Sequence, residues 1–508
     1  MPVVNTYTQE QKKEVRHAVI RRAVELLTYA RSNACCVRRS YVRDLYDHFS
    51  QMSESHEQVE AQRIDTAYIC EWEKMHANEI GSKRPSELSV CYLAGPEPRN
   101  DFDEFISLGV LPQNIFAFEY KRNTYLHALN SINSSDYMQP KLVKASIERY
   151  FESTPRKFDI VYIDTCASLV SDHHSLRCIS SMFKYHRLNS PGILITNFAF
   201  FDQMNETDTN EYVDMLARYF FIKENRKASL IEKESDIQFS DGFELQKEDV
   251  KCNLEQFYGD FITAMICNSG SISIPTLRFA NSNYLQYLST TMPISDRQYD
   301  YVSVNTIQDN TLYKFLASNR FLEQQKAEHV GVCKSNKLIR ELSASESGFD
   351  LLTCLRKLHD IRVHSDTLCS DLNETINFFD NDNCMYQFLD KPNRMLFFDS
   401  VINQFSYPMH YVSDKTVRLT YVAKQKRMFT DMIVFDECRY IYDWLPAIHQ
   451  IPKAFVNRSW QYVFRFALDG LIKQRLNYNN EFFFQGSVIS KTTDGFKSKT
   501  MAERKMIN

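Results

Sequence analysis

The chain has 508 residues, which predicts two or three domains, and 44% of them are apolar, which is enough for a large core. A formal net charge of -4 gives no sign of a polyanionic partner for the chain as a whole. No apolar run approaches the ~18 residues of a membrane span, and no signal peptide is recognisable, so we expect a cytoplasmic protein without a membrane segment.

The 13 cysteines are odd in number and scattered, without a C-x-x-C pair. This pattern predicts reduced, buried thiols and argues against a disulfide or zinc framework.

Residues 1–80 are predicted to form a helical N-terminal region. Apolar residues recur at helical spacing from Val15 to Ala30, with Lys12, Lys13, Arg16 and Arg22 mostly off that face. The basic residues of this region would be a solvated face or, alternatively, a surface that docks a protein partner or contacts phosphates.

Glycine and proline around a charged turn mark a boundary near residue 81, after which short apolar runs alternate with helical segments. Such runs are typical of buried parallel strands joined by crossovers, so 81–270 is predicted to be an α/β, Rossmann-like domain. Polar groups at the carboxyl ends of the runs lie at the edge where open α/β sheets bind ligands. The four runs are Leu88–Leu93, Asn114–Glu119, Phe158–Asp164 and Gly192–Asn197.

The turn after the first run and the acid that ends the second indicate the kind of ligand. Gly95 and Glu119 are 24 positions apart (95 to 119), and in dinucleotide-binding units a glycine turn approaches the ligand and a later acid binds the ribose hydroxyls. One glycine stands where that pattern has three, and Pro96 and Pro98 rigidify the turn. The pattern therefore predicts a nucleoside ligand without a pyrophosphate.

This stretch resembles the class I S-adenosylmethionine-dependent methyltransferases, with their glycine-rich first loop reduced to Gly95. The resemblance implies a Rossmann-like methyltransferase core and S-adenosylmethionine as cofactor. The segment Leu419–Leu445 is similar to one in uncharacterised bacterial proteins with the same core, which implies a divergent bacterial member. The resemblance lies in Tyr92–Pro98, Gly109–Glu119, Phe158–Asp164 and Pro191–Asn197, and the cofactor-binding residues that it implies are Gly95, Pro96, Glu97, Glu119 and Asp164.

Candidates for catalysis follow the third and fourth runs. Asp164 could orient the acceptor, take its proton or hold a divalent cation, and a helix cap is the alternative. His173 and His174 could act as a base near neutral pH, although adjacent histidines at a helix start are commonly surface residues. Where similar metal-dependent O-methyltransferases have an Asp-Asn pair, this chain has Thr196-Asn197, so no metal ligand is predicted.

Residues 271–508 are predicted to form a mixed α+β C-terminal domain. It includes helices at 312–324, 349–362 and 374–379 and strands at 395–398, 417–422 and 432–435. The tail from Phe455 is more basic, and aromatic residues from Trp460 to Phe466 lie among its first charges, Arg458 and Arg465, so this segment could bind nucleic acid. The core face of a strand or helix is the favoured interpretation of these aromatics.

The leading hypothesis is a methyltransferase that acts on an unknown acceptor. One alternative is a non-catalytic nucleotide or nucleoside sensor that controls a partner, and another is a nucleotide-processing enzyme on the same scaffold. The loop with a single glycine favours the sensor hypothesis, whereas the presence of Glu119 and Asp164 is compatible with the methyltransferase hypothesis.

Overall fold

The computed structural model describes residues 10–134, 137, 141–170, 174–202, 205–231, 239–289, 367–380, 394–423, 425–474, 488–490 and 492–507. The helices predicted at 312–324 and 349–362 lie outside these residues, as does His173. Among the described helices, none combines the length and the apolar character that crossing a membrane requires.

The N-terminal region is helical, as predicted. Helix α4 (Thr66–Ile80) is capped at its start by Asp65, whose side chain accepts a hydrogen bond from the backbone N–H of Ala67 at 2.9 Å. Gly81 follows its last residue, and a φ of 60° there suits a residue without a side chain. The helices are α1 (Glu10–Leu27), α2 (Tyr41–Ser50), α3 (His56–Gln62) and α4 (Thr66–Ile80).

Helix α1 buries two of its basic residues together with its apolar stripe. Lys12 is 7% exposed and Arg16 is 8% exposed, beside the fully buried Val19 and Ala23. The assignment of Lys12 and Arg16 to the solvent side was therefore wrong. Positions 12, 16, 19 and 23 share one helix face, so the two cations point into the protein.

A nine-stranded sheet carries the rest of the fold, and its first five strands are parallel in the order β3-β2-β1-β4-β5. This is the doubly wound, Rossmann-type order, and it confirms the predicted α/β class. The strands are β1 (Val90–Leu93), β2 (Ile115–Phe118), β3 (Lys141–Val143), β4 (Phe158–Asp164), β5 (Leu188–Ala199), β6 (His410–Tyr411), β7 (Val417–Ala423), β8 (Lys426–Asp436) and β9 (Arg504–Met506).

Helices follow the first four strands, in keeping with the predicted alternation of apolar runs and helical segments. They are α5 (Arg99–Ser107), α6 (Arg122–Asn133), α7 (Ile147–Ser153) and α8 (His174–Lys184). Each crossover returns the chain to the amino end of the next parallel strand, so the four strand-to-helix turns collect at one edge of the sheet.

The C-terminal part of the chain completes the same sheet. Strand β8 pairs antiparallel with β5 from Gly192↔Phe435 to Ala199↔Met428, and β7 pairs antiparallel with β8 on its other side. Strand β9 then pairs parallel with β7. The boundary expected at residue 270 therefore does not divide the sheet, while the three-domain organisation as a whole stays a prediction.

Helical segments lie before and between these C-terminal strands. A strand was predicted at 395–398, but these residues lie in helix α15, so that prediction was wrong. Four consecutive apolar residues do not distinguish a strand from a buried helical turn. The helices are α9 (Glu206–Ile231), α10 (Phe239–Cys252), α11 (Leu254–Asn268), α12 (Ile274–Ala280), α13 (Asn283–Leu288), α14 (Ser370–Asp380), α15 (Arg394–Ser406), α16 (Arg439–Tyr442), α17 (Ile451–Phe455) and α18 (Arg458–Ile472).

Helix α18 packs its aromatic residues into the core. Tyr462, Phe464 and Phe466 are fully buried, so these rings are not available to stack on bases. The N-terminal helices pack close to this helix: the Tyr41 hydroxyl donates a 2.6 Å hydrogen bond to Asp469, and a methyl placed on Gly470 would lie 2.8 Å from Val37 Cγ1.

Gly470→Ala tests the contact of α18 with Val37, just before α2, and with Tyr41, the first residue of α2. The added methyl would also lie 3.1 Å from the Tyr41 ring, so we expect overpacking to cost about 1–3 kcal/mol. This outweighs the gain of roughly 0.5–1 kcal/mol from replacing a glycine within a helix. The urea midpoint should fall, and it should fall less when Val37→Ala removes the opposing methyl. An equal loss in both backgrounds would contradict the contact.

Candidate functional site

A cleft of about 1460 Å³ opens at the carboxyl ends of the parallel strands. This is the edge at which doubly wound sheets bind ligands, and it is where the sequence placed the site. The cleft is lined by Gly95, Pro96 and Glu97 after β1, Glu119, Tyr120 and Lys121 after β2, Ala145 and Ser146 after β3, and Asp164, Thr165 and Cys166 after β4.

Gly95 forms the tight turn after β1. Its φ is 58°, a conformation that glycine adopts without steric cost. A Cβ added there would meet no protein atom within 4 Å, so the space beside this backbone is open. The neighbouring Glu97 accepts a long hydrogen bond of 3.5 Å from the Ser131 hydroxyl. The turn thus offers a ligand a close approach to the backbone.

Glu119 directly follows β2, is half-buried, and stabilises the turn that it begins. Its Oε1 accepts a 2.7 Å hydrogen bond from the backbone N–H of Lys121. Among the described residues, no hydrogen-bond donor is recorded for Oε2, which leaves that oxygen for a ligand hydroxyl. Tyr120, 52% exposed, follows directly and adds an aromatic surface to the cleft wall.

Asp164 ends β4 and is bound on both carboxylate oxygens. The Lys12 ammonium lies 2.7 Å from Oδ2. The Asn197 amide and the Cys166 thiol donate to Oδ1 at 2.9 and 3.1 Å. Lys12 and Asp164 are 8% and 14% exposed, so this is a nearly buried ion pair between helix α1 and the sheet.

The ion pair sets the protonation of both partners. Burial alone would raise the pKa of Asp164, but the Lys12 charge and the three hydrogen bonds outweigh it and hold that pKa below its usual value. Burial likewise opposes the charge on Lys12, and the Asp164 carboxylate outweighs it and raises the pKa of that ammonium. Desolvation and the Asp164 charge raise the pKa of Cys166 to about 12, so it is a thiol at neutral pH.

Residues of the C-terminal strands orient Asp164 through Asn197. The Asn197 side-chain oxygen accepts hydrogen bonds from Thr430 on β8 at 2.9 Å and from Tyr421 on β7 at 3.3 Å. With its oxygen occupied in this way, the amide presents its NH₂ group to Asp164. The side chains that surround Asp164 therefore come from the beginning, the middle and the end of the chain.

Helix α1 also contacts the helix that follows the Gly95 turn. Arg16 lies 2.9 Å from Asp101, and both side chains are about a tenth exposed. His17 lies 2.6 Å from Glu104. Through these pairs and Lys12, helix α1 is joined to α5 and to the end of β4.

The predicted site residues differ in how the structure places them. Gly95, Pro96, Glu97, Glu119 and Asp164 line one cleft, but their role in binding a cofactor stays a prediction. His173 lies outside the described residues. His174 is the first residue of α8, and its side chain lies outside them. The catalytic assignments of both histidines therefore stay predictions.

Sequence reasoning missed Lys12, Cys166, Tyr421 and Thr430. The spacing of Lys12 and Arg16 along the apolar stripe of α1 was a usable signal, because a cation on such a stripe requires a buried partner. Tyr421 and Thr430 gave no local signal, since their role depends on the pairing of β8 with β5.

Comparison with known proteins gives little beyond this geometry. No protein-family model matches the sequence, and no curated protein matches it. Among solved structures, an S-adenosylmethionine-dependent methyltransferase from Clostridium acetobutylicum is 14% identical with a TM-score of 0.18, over 31% of this chain and 57% of that one. Magnesium protoporphyrin IX methyltransferase from Synechocystis, with bound SAH, is 14% identical with a TM-score of 0.19. The match covers 33% of this chain and 71% of that one.

A third solved structure, PKMT2 from Rickettsia typhi in complex with AdoHcy, is 13% identical with a TM-score of 0.20, over 56% of this chain and 48% of that one. The chain therefore spans less than two thirds of the length of the Clostridium and Rickettsia proteins. Likeness of this degree carries no argument about activity.

The arrangement around Asp164 is suited to orienting a substrate more than to accepting a proton. A carboxylate with a lowered pKa is a weak general base at neutral pH, and the Cys166 thiol is not ionised there. The Lys12 ammonium, 2.7 Å from Asp164 Oδ2, already supplies a positive charge to this carboxylate. Asp164 and the side chains that contact it carry fixed dipoles and charges, which can hold a polar group of a substrate.

A double-mutant cycle on the free energy of unfolding tests the Lys12–Asp164 ion pair. Lys12→Met leaves a buried carboxylate without its cation and should cost about 3–5 kcal/mol, as for other broken buried pairs. Adding Asp164→Asn removes the uncompensated charge and should restore part of the loss. Shifts of the urea midpoint for wild type, both single variants and the double variant measure the coupling. Simple additivity of the two single losses would contradict the pair.

Proposed function

We propose that the protein binds S-adenosylmethionine in the cleft and transfers its methyl group to an acceptor. The observation that carries this proposal is the meeting of the open Gly95 turn, the Glu119 carboxylate and the Asp164 wall in one cleft at the carboxyl edge of a doubly wound sheet. These are the positions at which the resemblance to class I methyltransferases implies cofactor contacts.

The end of β2 supports a nucleoside ligand. Glu119 Oε2 can accept from ribose hydroxyls, because Oε1 is already used by Lys121. The exposed ring of Tyr120 offers a face on which a base can stack. The open space beside Gly95 then receives the part of the cofactor that continues from the ribose.

The size of the cleft supports a reaction between two bound molecules. Pockets for one ligand typically measure about 300–1,000 Å³, and this cleft is larger, at about 1460 Å³. A transferase needs room for donor and acceptor side by side. Holding the two in line is the main catalytic requirement of methyl transfer, since alignment converts an encounter into an intramolecular step.

Asp164 takes an orienting role in this proposal. Its carboxylate is held by Lys12, Asn197 and Cys166, so it presents a fixed charge distribution to the acceptor. A polar acceptor group that binds there would be positioned without giving up a proton to Asp164. The acceptor itself, a cytoplasmic location and any protein or nucleic-acid partner stay predictions.

Glu119→Gln tests the cofactor assignment. The amide can still accept from the Lys121 N–H, which preserves the turn, but it loses the charge that binds the ribose. We expect a loss of roughly 1.5–3 kcal/mol, which is a fall of about 10- to 150-fold in affinity for S-adenosylmethionine. Isothermal titration of the purified chain with S-adenosylmethionine and its demethylated product measures this.

Glu71→Gln, at an exposed acid on α4, is the matched control and should bind like wild type. Unchanged affinity in a folded Glu119→Gln variant would reject the ribose contact. Binding without release of demethylated cofactor, across cell extracts that supply acceptors, would favour the sensor hypothesis.

The ionisation of Asp164 should not appear in the pH dependence of the methyl-transfer rate near neutral pH. Because its folded-state pKa is lowered, the carboxylate stays charged above about pH 4 and is neutralised only in stronger acid. Release of demethylated cofactor, measured between about pH 5 and 9, should show no acidic limb that belongs to Asp164. An acidic limb in wild type that disappears in Asp164→Asn would identify Asp164 as a general base instead.

A further inference from the structure

Two thiols and a carboxylate meet in the core at the opposite edge of the sheet. Cys36, Asp436 and Cys438 are 4%, 1% and 0% exposed, and their ligand atoms all lie within 4.8 Å of one another. Asp436 ends β8, which runs antiparallel to β5, so the cluster lies at the amino ends of the parallel strands. It is therefore separate from the cleft.

The Asp436 carboxylate is buried without a cation in contact. Backbone N–H groups of Cys36 and Cys438 donate to it at 2.9 Å each, and the Tyr440 hydroxyl donates at 2.6 Å. All of these donors are neutral. Among the described residues, no lysine, arginine or histidine lies within ion-pair distance of Asp436, in contrast to Asp164 and Asp431.

Both sulfurs are placed as hydrogen-bond donors, as protonated thiols are. Cys36 Sγ donates to the Tyr411 carbonyl at 3.6 Å, and Cys438 Sγ donates to Asp436 Oδ2 at 3.5 Å. A divalent ion that replaced these two protons would leave the total charge of the cluster unchanged, since two positive charges leave and two arrive. The ion would also give the buried carboxylate its missing positive contact.

We propose that Cys36, Asp436 and Cys438 bind a zinc-type divalent metal ion that joins the N-terminal helical region to the sheet. Thiolate sulfur and carboxylate oxygen are zinc ligands, with bonds of roughly 2.3 and 2.0–2.2 Å. Tetrahedral bonds of these lengths put the ligand atoms roughly 3.5–3.8 Å apart, which falls within the 4.8 Å span of the cluster.

The Tyr440 hydroxyl stands beside the same point, 3.6 Å from Cys438 Sγ. Its oxygen, or a water molecule held by it, would supply the fourth neighbour of the ion. Cys438 itself has a φ of 51°, a conformation that glycine adopts more readily. The chain therefore places a thiol at this turn at a steric cost.

Metal binding would tie together residues that are far apart in the sequence. The Cys36 N–H and Asp436 are separated by 400 positions, and Cys36 lies between α1 and α2. A buried ion of this kind is taken up as the chain folds. The separation also explains why spacing rules, which look for nearby ligand pairs, predicted no zinc framework.

The test measures metal in the full chain produced in zinc-supplemented medium. We expect about one zinc ion per chain by elemental mass spectrometry, in keeping with one structural site. Cys36→Ser and Cys438→Ser should reduce the zinc content to background. Cys91→Ser, at an equally buried cysteine on β1 outside the cluster, is the matched control and should keep the ion.

A second measurement uses only the wild-type chain, so its result does not depend on whether the variants fold. Wild-type chain produced with cobalt in place of zinc should show sulfur-to-cobalt charge-transfer absorption, whose intensity reports two thiolates. Absence of this band, background zinc in the wild type, or zinc that persists in a folded Cys438→Ser variant would overturn the proposal. A Cys36–Cys438 disulfide found by peptide mapping of the unreduced protein would overturn it as well.

Discussion

The antiparallel pairing of β8 with β5 is the constraint on which the rest of the structure depends. Without β8, the parallel sheet would end at the 12-residue strand β5, whose unpaired edge would be a site for aggregation. The pairing satisfies that edge over eight register positions, from Gly192 to Ala199. It also fixes Thr430 beside Asn197, and it places Asp436, the last residue of β8, near the amino end of β5.

Buried charge determines how the N-terminal region docks. An exposed ion pair contributes about 0–1 kcal/mol, whereas breaking a buried one costs about 3–5 kcal/mol because a charge is left in a poorly solvated place. Lys12–Asp164 and Arg16–Asp101 are of the buried kind. Helix α1 is therefore held in one register along the sheet, since a shift of one turn would separate both pairs at once.

The sequence predicted what depends on local pattern and failed where distant segments decide. The parallel strands and the acids at their ends were predictable because a continuous apolar run between turns, such as Phe158–Asp164, is a local feature. The run at 395–398 is also apolar, yet it lies in helix α15. The residues around Asp164 were only partly foreseen, because Lys12 and Tyr421 reach it through contacts that no spacing rule contains.

Helix α1 and the segment after it connect the two edges of the sheet. Its 18 residues span about 27 Å at 1.5 Å per residue, comparable to the length of a seven-residue strand, about 23 Å. Lys12 near its start meets Asp164 at the cleft, and Cys36 beyond its end meets Asp436 at the opposite edge. In both places the N-terminal region brings a hydrogen-bond donor to a buried carboxylate of the sheet. The N-terminal region is thus a part of the α/β core, because each of these carboxylates would otherwise lack one of the donors that make its burial tolerable.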